Sequence, residues 1–126
     1  MEREGHLVCN HTAHHKDMSK IDDENAFYSE LRSLEVEYEA LTGKQMQRFY
    51  RPPEGKFDSK SLGTIKKLGY TTLFWSLAYK DWNHNNSIDY VLKEVNSNIH
   101  NGAIILMHTV SEANALSLEK VILSLQ

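Results

Sequence analysis

Two histidines four residues apart, His11 and His15, follow the short apolar run Leu7-Val8-Cys9. On one helical turn their imidazoles would share a face and could grip one cation, as paired zinc histidines do. Taken alone, the same spacing also describes a polar loop that happens to contain histidines. His14 would point to another face of such a turn, toward solvent or behind the ligands. Arg51 stands in Arg51-Pro52-Pro53-Glu54-Gly55, where two prolines set a rigid approach and a glycine sets the release. A guanidinium held that way could orient a carboxylate, or could simply pair with Glu54. Asp81-Trp82 ends an aromatic-rich run beginning at Phe74. Trp82, beside polar residues, suits a wall that stacks on a sugar or shields a site. Asp81 suits a solvent ion pair equally well. His108 directly follows Ile104-Ile105-Leu106-Met107. By itself it reads as a structural histidine; beside a metal it becomes a natural general acid.

The elements needed to position these residues are legible in the hydrophobic pattern. Gly5 to Asn10 reads as a short strand. Asp22 or Asp23 caps a helix to about Leu41, whose stripe Phe27, Leu31, Leu34, Tyr38, Leu41 steps by four and three. Gly43 stops it. Gln47 to Arg51 is the next strand, closed by prolines that cannot donate to a central ladder. Asp58 or Ser59 caps a helix with Leu62, Ile65 and Leu68 inward. Thr71 to Leu77 reads as a buried strand. Ser87 caps a helix with Ile88, Val91, Leu92, Val95 and Ile99 apolar. Ala103 to Met107 is the most hydrophobic strand. A last helix from about Glu112 is expected to bury Leu116, Leu118, Val121, Ile122 and Leu125.

Strands and helices thus alternate, which argues for an α/β fold with a parallel sheet covered by helices. Right-handed crossovers then put every strand's C-terminal end on one edge, where α/β folds bind ligands. His11 and His15, Arg51, Asp81 and Trp82, and His108 fall at four successive strand ends. That convergence outweighs the bland reading of each residue alone.

Bulk properties narrow the function classes. With 126 residues the chain suits one compact domain. Hydrophobic residues at 40% and charged residues at 25% argue against disorder. A net charge of -3 makes nucleic acid a poor partner. No apolar run reaches the length of a membrane span. The opening Met1-Glu2-Arg3-Glu4-Gly5-His6 lacks the order of a signal peptide. The single cysteine, Cys9, has no internal disulfide partner and reads as a small buried hydrophobe.

Taken in order, the four clusters resemble the polysaccharide deacetylase family, the NodB homology domain of carbohydrate esterase family four. Asn10-His11-Thr12-Ala13-His14-His15 is similar to its His-Ser/Thr-x-x-His metal motif, and Arg51-Pro52-Pro53-Glu54-Gly55 to its Arg-Pro-Pro-x-Gly motif. Asp81-Trp82 and Ile105-Leu106-Met107-His108 are similar to its Asp-Trp and Leu-x-Leu-His motifs. The resemblance spans nearly the whole chain. Longer stretches around Phe57, Phe74 to Trp82 and Asn98 to His108 look closest to the delta-lactam-biosynthetic peptidoglycan de-N-acetylases of spore-forming bacteria.

The resemblance implies a partial (β/α) barrel over residues 1–126, and removal of the N-acetyl group from muramic acid residues of cortex peptidoglycan. It implies a divalent ion, zinc or similar, on His11 and His15. The Glu54 backbone N–H would help hold an oxyanion, and Arg51 would orient the catalytic base. Asp81 would tune His108, His108 would protonate the departing amine, and Trp82 would wall the sugar site. The family's location implies the cell envelope or the extracellular space.

One part of the family pattern is missing. Its first motif, Thr-Phe-Asp-Asp-Gly, which carries the catalytic base and a third metal ligand, does not occur. Asp22-Asp23 comes after the histidines rather than before them and reads as helix caps. The expectation from sequence is therefore a fragment incomplete at the N-terminus and at the C-terminus, with an open, weaker metal site and exposed apolar helix faces. The alternative is a catalytically inactive remnant that keeps partial metal or glycan binding.

Overall fold

The computed structural model describes all residues, Met1 to Gln126. It divides into two compact units, residues 1–74 and 75–126.

In the first unit, β1 (Cys9–Asn10), α1 (Glu24–Thr42), β2 (Gln47–Tyr50), α2 (Ser59–Lys67) and β3 (Thr71–Thr72) succeed one another. The strands form one parallel sheet in the order β1-β2-β3. Between β1 and β2 the register slips: Cys9 pairs with Gln47, but Asn10 pairs with Tyr50. Such a bulge bends the strand and re-aims the loop beyond it. The caps are those expected from sequence. Asp23 accepts from the Ala26 N–H at 2.6 Å, and Asp58 forms a reciprocal capping box with Ser61. Gly43 ends α1 with φ 69, which a residue without a Cβ adopts without strain. Met18, Phe27, Leu31, Tyr50, Ile65 and Tyr70 form the core.

The expected α1 stripe is only partly buried. Leu41 is exposed, and two carboxylates, Glu30 and Glu35, are buried among the apolar positions. Glu35 is paired with Arg32, Arg48 and the Tyr70 hydroxyl, which is how a charge tolerates burial. The expected strand from Gly5 shortens to two residues, and Leu7 is exposed. Cys9 is half-buried, and desolvation pushes its thiol up, away from nucleophilic behaviour.

The second unit holds α3 (Ile88–Asn98) and α4 (Glu112–Ser124), packed on each other. Ser87 caps α3 on the Tyr90 N–H, and Val91 and Val95 are fully buried with Leu77, Tyr79 and Val121. The expected strands over Thr71–Leu77 and Ala103–Met107 are corrected here. The ladder of the first ends at Thr72, and the two segments meet in a single parallel bridge, Leu77 with Ile105. Ala103–Met107 is not fully buried; Ile104 is exposed.

Helix α4 is corrected more deeply. Its buried line is Asn114, Ser117 and Val121, spaced three and four apart, while Leu116, Leu118, Ile122 and Leu125 are exposed. Hydrophobicity alone would have turned the helix the other way. The hydrogen bonds of Asn114 to Asp81, His108 and Tyr79 are what turn it inward on its polar side. Neither unit contains a helix long and apolar enough to cross a membrane.

Candidate active site

The histidine loop starts from Asn10, whose side chain is completely buried. Its amide donates to the Leu31 carbonyl at 3.0 Å and to the Tyr70 hydroxyl at 3.2 Å. Its oxygen accepts the Thr12 N–H at 2.9 Å. The end of β1 is thus tied to α1 and to the residue preceding β3. The chain then turns through Thr12 at φ 65 and His15 at φ 53, left-handed values that carry strain in side-chain-bearing residues, most of all β-branched threonine.

Glu30 of α1 holds this turn. Its backbone carbonyl accepts the Ala13 N–H at 2.9 Å, and its carboxylate accepts the His14 N–H at 3.1 Å. The same carboxylate meets the His14 ring at 3.1 Å and the Lys16 ammonium at 2.7 Å. Burial works against this anion, but the bonds from Lys16 and His14 outweigh it and hold its pKa below the usual carboxylate range.

The expected helical turn over His11–His15 is therefore corrected to a left-handed loop. The two imidazoles still meet, edge to face, with centroids 4.9 Å apart. His14 is turned away on Glu30, as a residue behind the pair. His11 Nδ1 lies 2.6 Å from the Arg51 carbonyl oxygen. A carbonyl only accepts, so Nδ1 carries a proton, and in the neutral ring Nε2 then keeps the lone pair. That is the tautomer a metal-ligating histidine needs.

Two imidazoles fit a borderline-soft divalent ion such as zinc. The Thr12 hydroxyl, buried without a hydrogen-bond partner, adds unused polar capacity to the same loop. No group of three or more His, Cys, Asp or Glu is placed to hold a metal.

Arg51 begins the next loop by donating its N–H to the Asn10 carbonyl at 3.0 Å. Its partly buried guanidinium has a pKa lowered by desolvation, yet such a group stays cationic at neutral pH. Pro52 and Pro53 are buried, and the N–H groups of Gly55 and Lys56 close the turn on their carbonyls at 3.0 Å each. Glu54 sits at φ 54, and its own N–H takes no part in those two bonds. Its carboxylate pairs with Lys56 at 2.8 Å rather than with Arg51, and that ammonium lowers its pKa.

In the second unit, Asp81 is 1% exposed and faces His108. Oδ1 lies 2.9 Å from His108 Nδ1, and Oδ2 accepts the His108 backbone N–H. Asn114 donates to Oδ2 at 2.9 Å, and the Tyr79 hydroxyl donates to Asn114 Oδ1 at 2.7 Å. The solvent pairing open to Asp81 from sequence is therefore replaced by a buried carboxylate–imidazole pair. Since Asp81 takes Nδ1, Nε2 is the ring nitrogen that Asp81 does not engage. Trp82, 55% exposed, stands edge to face with His108 at 6.3 Å between centroids.

Sequence reasoning named His11, His15, Arg51, Glu54, Asp81, Trp82 and His108. It missed Asn10, Glu30, Tyr79 and Asn114, which hold them. The available signal was a polar residue inside an apolar stripe, as at Glu30 and Asn114, to which the hydrophobic pattern gave no role.

A family model described as polysaccharide deacetylase matches residues 1–73. The peptidoglycan-N-acetylmuramic acid deacetylase of Bacillus subtilis is 41% identical over all of this chain, which covers 48% of that protein. Its structure, a family 4 carbohydrate esterase, superposes with a TM-score of 0.94 at 39% identity over 99% of this chain and 54% of that one. A family 4 pseudoenzyme from Bacillus anthracis superposes with a TM-score of 0.83 at 27% identity over 94% of this chain and 41% of that one. The chain thus spans about half the length of the curated relatives it matches.

Proposed function

This chain belongs to the polysaccharide deacetylase family, and on that premise we propose that it serves the hydrolytic de-N-acetylation of a cell-wall glycan. The substrate we assign is the N-acetylmuramic acid of spore-cortex peptidoglycan, with the free amine going on to a delta-lactam. That places the chain at the cell envelope or outside it. The B. subtilis relative's name supports the glycan.

The observation that supports the reading best is the histidine pair, with His11 Nδ1 spent on the Arg51 carbonyl so that Nε2 keeps the lone pair of a ligand. His11 and His15 would hold the divalent ion, zinc or similar. When bound, such an ion polarises an acetamide carbonyl and lowers the pKa of a water. The Glu54 N–H, which takes no part in the two bonds that close its turn, donates to the oxygen that becomes negative. Arg51 orients the carboxylate that acts as base; residues 1–126 contain no Thr-Phe-Asp-Asp-Gly sequence, and the base is assigned to none of them. His108, oriented through Nδ1 by Asp81, presents Nε2 to the leaving amine and, once the ring is doubly protonated, gives the Nε2 proton to it. Trp82 flanks that imidazole and limits water on its sugar side.

A second reading, a non-catalytic member that binds metal or glycan, is favoured by the absence of any three-ligand cluster. The two separate on one pair of measurements: zinc content after dialysis, and acetate released from a muramic-acid oligosaccharide. Zinc uptake with acetate release supports the enzyme. Zinc uptake without acetate supports the binding protein, and no uptake overturns the enzyme and the metal-binding form of the second reading, leaving only glycan binding.

A further inference from the structure

We propose that Tyr79 and Asn114 are positioning residues for His108: the Tyr79 hydroxyl sets the orientation of the Asn114 amide, and that amide holds Asp81 against the imidazole. The proposal rests on His108 acting as the proton donor to the leaving amine.

Asn114 is 3% exposed and Tyr79 8% exposed. The Asn114 amide donates twice, to Asp81 Oδ2 and to the His108 carbonyl, each at 2.9 Å. Its oxygen accepts from the Tyr79 hydroxyl at 2.7 Å. Rotating the amide by half a turn would aim its oxygen at a carboxylate and a carbonyl, two acceptors that can only repel it. The Tyr79 hydroxyl reinforces the productive orientation, because it donates to the oxygen.

The consequence reaches the ring through Asp81. Oδ2 is occupied by the His108 backbone N–H and the Asn114 amide. Oδ1 is then left for His108 Nδ1, and the distances agree: 2.9 Å from Oδ1 against 3.2 Å from Oδ2. A carboxylate fixed in this way keeps the proton of the neutral imidazole on Nδ1 and the lone pair on Nε2.

The orientation of α4 agrees with the same network. The helix buries Asn114 and Ser117 while Leu116, Leu118, Ile122 and Leu123 stay exposed. Turning a polar line inward opposes the hydrophobic effect, and buried polar groups persist when their hydrogen bonds are used. Asn114 uses both of its N–H groups and its oxygen.

Side-chain nitrogen NMR of the 126-residue chain reads the tautomer of His108 directly. The native chain should show Nδ1–H as the dominant neutral form. Tyr79→Phe removes one oxygen and keeps the ring that packs edge to face on Tyr90. It and Asn114→Leu should shift the ratio toward Nε2–H, on the order of tenfold for Asn114→Leu, the scale of a lost hydrogen bond to a charged group. An unchanged ratio in folded Tyr79→Phe and Asn114→Leu overturns the proposal. The tautomer is read without turnover. A chain that releases no acetate therefore leaves this inference standing, while an active chain with unshifted variants overturns it alone.

Discussion

Replacing Glu30 by alanine should loosen the histidine loop and weaken metal binding without dismantling the fold. The carboxylate is 5% exposed and receives the His14 N–H, the His14 ring and the Lys16 ammonium. The two side chains are 67% and 57% exposed, so each pairing contributes under about 1 kcal/mol. The backbone N–H bond to a buried anion is stronger, about 1.5–3 kcal/mol. Truncation should therefore remove about 2–3 kcal/mol from the loop. Against that stands strain at Thr12 and His15, about 1 kcal/mol or more each. The bonds from Asn10 to the Thr12 N–H and from Ala13 to the Glu30 carbonyl survive the change. If a loss of about 2 kcal/mol falls wholly on the ligand-competent state, the zinc Kd rises roughly 30-fold. Calorimetric titration of both proteins with Zn²⁺ or Co²⁺ at neutral pH measures this. A Glu30→Ala chain with native Kd would refute the reasoning, whatever its melting behaviour. The contribution also has a sign in pH. The folded pKa is lowered, so the stabilisation is complete above the ordinary value of 4.5 and is lost as pH falls through the folded value.

Three further outcomes are expected from the same geometry. His11→Ala should abolish high-affinity zinc uptake, while His14→Ala, which leaves the pair and the backbone bond to Glu30 in place, should change the Kd less than about threefold; the same titration decides. Burial holds the Tyr79 phenol at about 12, and burial with the Glu35 hydrogen bond does the same for Tyr70, while burial raises Tyr50 further. Stability should thus be full below pH about 10 and fall as pH rises toward 12, seen by urea melts alongside tyrosinate absorbance. On α4, Ile122→Lys should alter stability by less than about 0.5 kcal/mol, whereas Ser117→Leu, at a completely buried position, should cost about 1–3 kcal/mol. The reverse order would mean that the helix is turned the other way.

Helix boundaries and caps were legible because they are local. Asp23, Gly43, Asp58 and Ser87 act within four residues of themselves, where residue type and backbone geometry are directly coupled. The chemistry-bearing residues were legible for a related reason: each stands just beyond an apolar run. The features that the pattern concealed depend on partners distant in sequence. The Ala103–Met107 run carries the strongest strand signal, yet forms one bridge. The inward face of α4 is decided by Asp81, 33 residues from Asn114. The left-handed turn at Thr12 and His15 runs against the preference of both residue types and depends on Asn10 and Glu30. A window along the chain contains the strained residues but not the groups that restrain them.

The bond between His11 and the second loop ends on the Arg51 main chain, not on its guanidinium. Every amino acid brings a carbonyl to that position. The identity of residue 51 is therefore genetically separable from the tautomer of residue 11. A lineage could exchange the arginine, losing whatever the cation does, and still inherit a correctly prepared imidazole. A one-residue deletion in Gln47–Tyr50 would have the opposite effect, shifting the carbonyl away while sparing every side chain in the motif. Loop length, more than residue identity, is where selection on this half of the site should be strictest.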